Sequence, residues 1–252
     1  MFPEIPAHHR PFIQALLYHG IVLPSIRNSF ARVRVHTEGL PSLHDDPLII
    51  YLTHSSWWDA YMLFLISGRL LPDPRQNYIM MEAKQLRRYR FFRWCGAFSI
   101  DRHHPDDTDR SLDYIANRLR ERPGRILWIF PQGKIIHPDL RPLTLYPGIA
   151  RVVQRVGSVT LWPMALRYEF RGEQRAEALI RAGKPWRASG ASTEAQLLAE
   201  STSHLTALAD KLHDDALHGS LDEYRVLLQG RTGIDRWFDQ LREHYLPHRR
   251  GH

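Results

Sequence analysis

Cysteine is almost missing from this chain: Cys95 is the only one in 252 residues. That excludes an internal disulfide and a zinc site built on several thiolates, and it fits a reducing compartment, with packing as the expected role of Cys95. Lysine is scarce as well. It supplies 4 of the 34 basic residues and arginine the other 30, so a fixed guanidinium fork is the usual cation wherever an anion must be met. No apolar run is long enough to cross a bilayer. Pro11 to about Phe30 comes nearest, with Phe12, Ile13, Leu16, Leu17, Ile21, Val22 and Leu23, but Pro24 and Arg27 interrupt it well short of about 20 residues. Residues 1–10 carry Pro3, Pro6 and His8-His9-Arg10 without the apolar core and small-residue cleavage site of a signal peptide, so a cytoplasmic location is expected. There is no zinc knuckle, glycine-rich phosphate loop or RNA-binding aromatic signature, and nucleic acid is not an expected partner.

What the chain does have is positive charge and enough length for a large core. The formal net charge of +7 and the pI near 9.7 favour anionic partners such as phosphate head groups or an acidic carrier protein. No break in composition divides the chain, which predicts one α/β domain. The stretch 11–30 has two open readings, a helix resting on a membrane or a helix packed on the domain. Arg32-Val33-Arg34-Val35-His36 alternates as a half-exposed strand with Arg32 and Arg34 toward solvent. A helix from about Ala83 carries Lys84, Arg87, Arg88, Arg90 and Arg93 among Phe91, Phe92 and Trp94, which suits a solvated face or an anionic bilayer surface. Tyr168-Glu169-Phe170 and Ala178-Leu179-Ile180 read as paired strands near the sheet edge. Beyond Ser192 the pattern is helical, including Leu221 to Leu228 and Ile234 to Leu246.

The chemistry concentrates at residues 47–59. The apolar run Pro47-Leu48-Ile49-Ile50-Tyr51-Leu52 reads as a buried strand, and it is followed by Thr53, His54, Ser55, Ser56, Trp57, Trp58 and Asp59, a turn into a helix. Histidine suits proton transfer near neutral pH, and Asp59 is the nearest following carboxylate that can fix its tautomer. Positions five apart on one helix point about 140° away from each other, so His54 is expected to lie before the helix, with Asp59 in its first turn. A second reading stays open: Ser56-x-x-Asp59 is also a capping box in which Asp59 only receives backbone N–H groups.

His54-x4-Asp59 resembles the first motif of the glycerolipid and lysophospholipid acyltransferase family, which includes the 1-acylglycerol-3-phosphate acyltransferases. Three more stretches are similar to that family's motifs, in order: Gly96 to Arg102, ending in Ile100-Asp101-Arg102; Phe130-Pro131-Gln132-Gly133-Lys134-Ile135; and Val159-Thr160-Leu161-Trp162-Pro163-Met164. Together they cover residues 48–166. The chain departs from the family at Thr53, where Asn is common, at Gln132, where Glu is usual, and at Ile135, where Arg is usual.

The resemblance implies an α/β fold with a mixed, largely parallel sheet covered by helices on both sides. An amphipathic N-terminal helix over 1–30, a core over 31–190 and a helical extension over 191–252 complete the expected layout. It also implies an acyltransferase that uses acyl-CoA or acyl-carrier protein as co-substrate, needs no cofactor or metal, and works at the cytoplasmic face of an anionic membrane. His54 would be the general base, Asp59 its orienting partner and Arg102 the ligand of the acceptor's anionic head group. Gly96, Phe130, Pro131, Gln132, Gly133 and Lys134 would complete the acceptor site, and Trp57, Trp58 and Pro163 its apolar wall. Backbone amides around Gly133 are candidate oxyanion donors. The carboxylate and cation missing at Gln132 and Ile135 point away from lysophosphatidic acid and toward a neutral hydroxyl, as on a glycolipid or terpenoid glycoside. The altered third motif also admits an inactive lipid-binding protein, and a thioester hydrolase is the other alternative. The His103-His104-Pro105-Asp106-Asp107 run reads as a helix start rather than a metal site.

Overall fold

The computed structural model describes residues 2–42, 46–71, 76–122, 124–219 and 221–231. Helix α1 (Pro11–Leu17) passes through a π-helical stretch, Tyr18–Val22, into α2 (Leu23–Ser29), so the chain stays helical across Pro24. The wider π turn, in which the Leu23 N–H reaches Tyr18 O, takes up the irregularity that a proline brings to a helix. The packed reading of this segment holds for its second half. No residue of α1 is buried, whereas Val22, Leu23 and Ile26 enter the core.

The remaining elements are β1 (Phe30–Thr37), β2 (Leu48–Leu52), α3 (Asp59–Leu70), β3 (Asn77–Glu82), α4 (Ala83–Arg88) and, after a 3-10 turn over Arg90–Cys95, β4 (Ala97–Ile100). They are followed by α5 (Pro105–Glu121), β5 (Ile126–Ile129), α6 (Gly148–Val156), β6 (Ser158–Glu169), β7 (Ala176–Ala182), β8 (Trp186–Ser189), α7 (Glu194–His218) and β9 (Arg225–Gln229). The sheet runs β4-β3-β5-β2-β6-β7-β1-β9, with β8 beside the first half of β6. Neighbours from β4 to β6 are parallel, as are β7 and β1; β6 with β7, β6 with β8, and β1 with β9 are antiparallel. This is the mixed, largely parallel sheet that the sequence implies.

Strand periodicity sorts the core into two layers. Ile49, Tyr51, Leu127, Ile129 and Leu161 face α5, α6 and α7, while Leu48, Ile50, Leu52, Trp128, Trp162 and Met164 face α2 and α3. Pro163 fits into β6 because its missing N–H costs no ladder bond. The N–H of Thr160 points to β2, so odd-numbered N–H groups point the other way, and residue 163 falls between the end of β8 pairing at Leu161 and the start of β7 pairing at Met164.

Several expectations need correction. Residues 221–228 are not helical: β9 adds to the free edge of β1, a solution that a short apolar run alone cannot distinguish from a helix. The stretch 234–246 lies outside the described residues. Strand β7 is not near an edge, since β1 and β9 extend the sheet beyond it. Arg32 and Arg34 are half-buried and paired with Glu177, so the exposed face is an ion-paired one. The basic helix from Ala83 ends at Arg88 and re-forms as the 3-10 turn.

The N-terminal segment is fastened to β4 by the Ile5 N–H to Ser99 Oγ bond (2.8 Å) and the Ser99 N–H to Ile5 O bond (2.9 Å). His9 follows, edge-on to Tyr78 at 4.9 Å between ring centroids. Burial, aided by the nearby guanidinium groups of Arg125 and Arg118, lowers its pKa from 6.5 to about 4. Between those values the unfolded chain binds more protons than the folded one, so His9 makes stability fall as pH drops from about 6.5 toward 4. His9→Gln is expected to flatten the pH dependence of the urea midpoint in that interval relative to wild type, with no difference in slope above pH 7.

Candidate active site

Strands β2, β3, β4 and β5 all end at one rim of the sheet, where open α/β folds place their ligands. Thr53 continues β2: its N–H reaches Met164 O (3.1 Å), and its Oγ1 accepts from the Leu166 N–H (2.9 Å). It thereby holds the end of β2 against β6. His54 is next. Its N–H donates to Gln132 Oε1 at 2.7 Å, its carbonyl accepts from the Ile136 N–H at 2.8 Å, and its ring stacks on Phe130 with centroids 4.5 Å apart.

Nδ1 of His54 lies 2.7 Å from Oδ2 of Asp59, which is completely buried at the first position of α3. A carboxylate accepts only, so Nδ1 carries the proton and Nε2 keeps its lone pair. The same Oδ2 accepts from the N–H groups of Ser55 (2.7 Å) and Ser56 (2.9 Å), and Oδ1 accepts from the Tyr168 hydroxyl (2.6 Å). The two sequence readings of Asp59 are therefore one structure: it receives backbone N–H groups at the helix start and holds the imidazole as well. Tyr168 is absent from the residues that the sequence singles out. A period-two reading of β6, with Trp162, Met164 and Leu166 on the α3 face, puts Tyr168 there too, as a hydroxyl in need of an acceptor. Burial and the adjacent carboxylate push its phenol well above the usual range, so it remains a donor.

Arg102 stands two residues beyond β4. Its Nε and Nη2 meet Glu82 Oε2 at 2.9 and 2.8 Å, and its Cζ lies 4.6 Å from the Tyr146 ring centroid. Gly133, with φ +66, closes the turn after β5 through its N–H to Phe130 O, and a β-carbon there would come 2.3 Å from Arg102 Nη1. Lys134 is exposed beside it. Pro131 is buried, with its carbonyl accepting from the Tyr146 N–H at 2.8 Å.

Three of the expected site residues, Gly96, Pro163 and Trp58, do something other than line the rim. Gln132, buried beneath His54, holds the backbone as well as lining the cleft beside His54. Gly96 lies at the opposite end of the strands, with φ +96 and the Asn77 carbonyl 1.9 Å from where a β-carbon would be, so it is a pivot for packing. Pro163 is a core residue under α7, and Trp58 packs edge-on against Phe30 at 5.0 Å. Trp57 is 61% exposed and lies against Tyr61, with ring centroids 4.9 Å apart and planes tilted by 40°. Asp101, His104 and Asp107 do converge, their ligand atoms within 4.8 Å of one another. Each is already engaged: Asp101 with His104 and the His103 N–H, Asp107 with Arg110.

Residues 132–146 form a strap past His54. It is pinned by Asp139, which pairs with Arg167 and, at 2.9 Å, with His213; these contacts, Arg167 first, hold the Asp139 carboxyl at about 2. A small cleft beside His54, lined by Thr53, Ser55, Gln132 and Ile136, adjoins a hollow of about 500 Å³ lined by strap residues alone, among them Lys134, Ile135, Leu140, Leu143 and Tyr146. That volume is in the range of small-molecule sites.

A family model described as Acyltransferase matches residues 32–167, more than half of the chain. A 1-acyl-sn-glycerol-3-phosphate acyltransferase of Streptococcus pneumoniae is 31% identical over 134 residues, a stretch that is 51% of this chain and 44% of that protein. The chain thus spans less than half the length of that curated relative. The crystal structure of the 1-acyl-sn-glycerophosphate (LPA) acyltransferase PlsC from Thermotoga maritima aligns over 82% of this chain and 83% of its own, with a TM-score of 0.54 and 14% identity, a likeness of fold.

Removing the hydroxyl at position 168 leaves Oδ1 of a buried carboxylate without its partner. Tyr168→Phe is expected to lower stability by about 1.5–3 kcal/mol, read from urea unfolding. A loss below about 0.5 kcal/mol would mean that the bond carries no weight.

Proposed function

The chain belongs to the acyltransferase family, and from that premise we propose that it moves a fatty-acyl group from a thioester carrier, acyl-CoA or acyl-carrier protein, to a hydroxyl of a lipid acceptor. The observation that carries this reading is the 2.7 Å contact between His54 Nδ1 and the buried Asp59, which leaves Nε2 as a base at the open rim. Nε2 takes the hydroxyl proton while the oxygen attacks the thioester carbonyl. Asp59 stabilises the imidazolium. When the tetrahedral adduct collapses, the carbon–sulfur bond breaks and the imidazolium returns its proton to the thiolate. The route calls for no cofactor and no covalent enzyme intermediate. The hollow in the strap suits an acyl chain, since Ile135, Leu140 and Leu143 give it apolar surface and it adjoins the cleft that His54 lines.

The protein in this reading rests on an anionic membrane. Phe12 and Leu16 on α1 are 80% and 60% exposed. The Arg10 N–H and the Gln14 side chain both bond Trp94 O, which sets α1 beside the Phe91 to Trp94 turn and its arginines. Aromatic and aliphatic side chains interleaved with guanidinium groups suit the boundary between head groups and acyl chains. Among the described residues no helix is long and apolar enough to cross a membrane. The acceptor head group has two candidates, a phosphate as in the relatives' names or the neutral polyol favoured by Gln132 and Ile135.

His54→Ala is expected to reduce thiol release from acyl-CoA or acyl-carrier protein by about 10² to 10⁴ across a panel of lysolipids and glycolipids, with circular dichroism and vesicle binding unchanged. Full thiol release from that variant would remove the reading. Free fatty acid formed without acceptor, in a His54-dependent way, would reassign the protein as a hydrolase.

A further inference from the structure

Glu82 is the last residue of β3 and lies in register with Ile100 at the end of β4. Its carboxylate and Arg102 therefore emerge from adjacent strands at the rim that holds His54. Oε2 of Glu82 receives both Nε and Nη2 of Arg102 at 2.9 and 2.8 Å. That pair of nitrogens is one of the two edges with which a guanidinium grips a phosphate bidentately. The flat face of the same group rests on Tyr146, and Nη1 lies against Gly133. The cation is thus oriented on several sides, and its charge is offset by a carboxylate in direct contact.

The surroundings do not restore the missing charge. Gln132 is neutral and turned toward the His54 backbone, and Ile135 is apolar. Lys134, exposed on the strap, is a single mobile ammonium without a planar fork. A phosphate dianion approaching Arg102 meets Glu82 within the same few ångströms and is repelled by it. A sugar or glycerol hydroxyl meets N–H donors and a carboxylate acceptor, and is repelled by neither.

We propose that Glu82 is a specificity-determining residue: by holding the Nε and Nη2 edge of Arg102 it converts an anion grip into a neutral hydrogen-bonding platform. The site consequently favours an acceptor whose head group is an uncharged polyol. The inference rests on the acyl-transfer reading and names the acceptor class for that same site. Glu82 acts through Arg102, so its signature is a change in preference between acceptors rather than a loss of turnover.

A matched ligand pair isolates the effect: 1-oleoylglycerol and 1-oleoylglycerol 3-phosphate, each in neutral detergent micelles, differ only in the phosphate. Equilibrium binding is measured on His54→Ala protein with and without Glu82→Gln, and acyl transfer from oleoyl-CoA on the His54 protein with and without the same change. Glutamine keeps an oxygen for Arg102 and removes the charge. The expected result is a preference for the neutral ligand while Glu82 is present. The Glu82→Gln change is expected to shift that preference toward the phosphate ligand by about tenfold or more, with stronger salt dependence of phosphate-ligand binding. In turnover the shift is expected in KM more than in kcat. A binding preference that shifts while neither acceptor is acylated would support the role of Glu82 and reject acyl transfer. His54-dependent turnover with an unchanged acceptor ratio in Glu82→Gln would overturn the role of Glu82, as would a wild-type preference for the phosphate ligand.

Discussion

A carboxylate with no exposed surface must have its charge met by donors, and Asp59 meets four: the His54 ring, the N–H groups of Ser55 and Ser56, and the Tyr168 hydroxyl. Leaving such a group uncompensated costs several kcal/mol, so these contacts constrain the chain strongly. They bend residues 53–58 tightly between β2 and α3, fix where the helix begins, and tie both to β6. The same contacts decide the imidazole tautomer. Capping of the helix and orientation of the imidazole therefore rest on one carboxylate.

Around that centre the rim is built by strand ends. β2 delivers His54, β3 delivers Glu82, β4 leads to Arg102, and β5 leads to the Phe130 to Gly133 turn. The strap that follows is held at both ends by backbone bonds, from Ile136 to His54 and from Tyr146 to Pro131, and at its middle by Asp139 with Arg167 and His213. Its position explains why a glycine stands at 133. The Arg102 guanidinium and the Tyr146 ring fill the space that a side chain would need. The polar end of the site is thus fixed by contacts among its own residues, and Tyr146 belongs both to it and to the hollow in the strap.

The altered third motif looks different once its side chains are placed. Gln132 supplies a buried acceptor for the His54 amide, a task that needs no charge. The carboxylate at the rim comes instead from Glu82, far earlier in the chain, and it arrives there through the pairing of β3 with β5 and β4 rather than through any local pattern. A neutral residue in the motif and a charged one on the adjacent strand leave the Arg102 guanidinium paired with Glu82.

The sequence by itself determined the alternation of buried strands and helices, the place of His54 at a strand end and Asp59 at a helix start, and the family to which the motifs belong. Those features are local, set by periodicity, capping chemistry and spacing within a few residues. Tyr168, Glu82, Tyr146 and the inward turn of Gln132 come from strands and loops far apart in the chain; strand alternation gives the face of Tyr168, but nothing nearby marks the partner of any of them. The edge strand β9 reads as helix for the same reason, since only the unpaired side of β1 supplies its hydrogen bonds. Tertiary structure alone decided these points, because a hydrogen-bond partner or a neutralising charge exists for a residue only after the sheet order has brought it within reach.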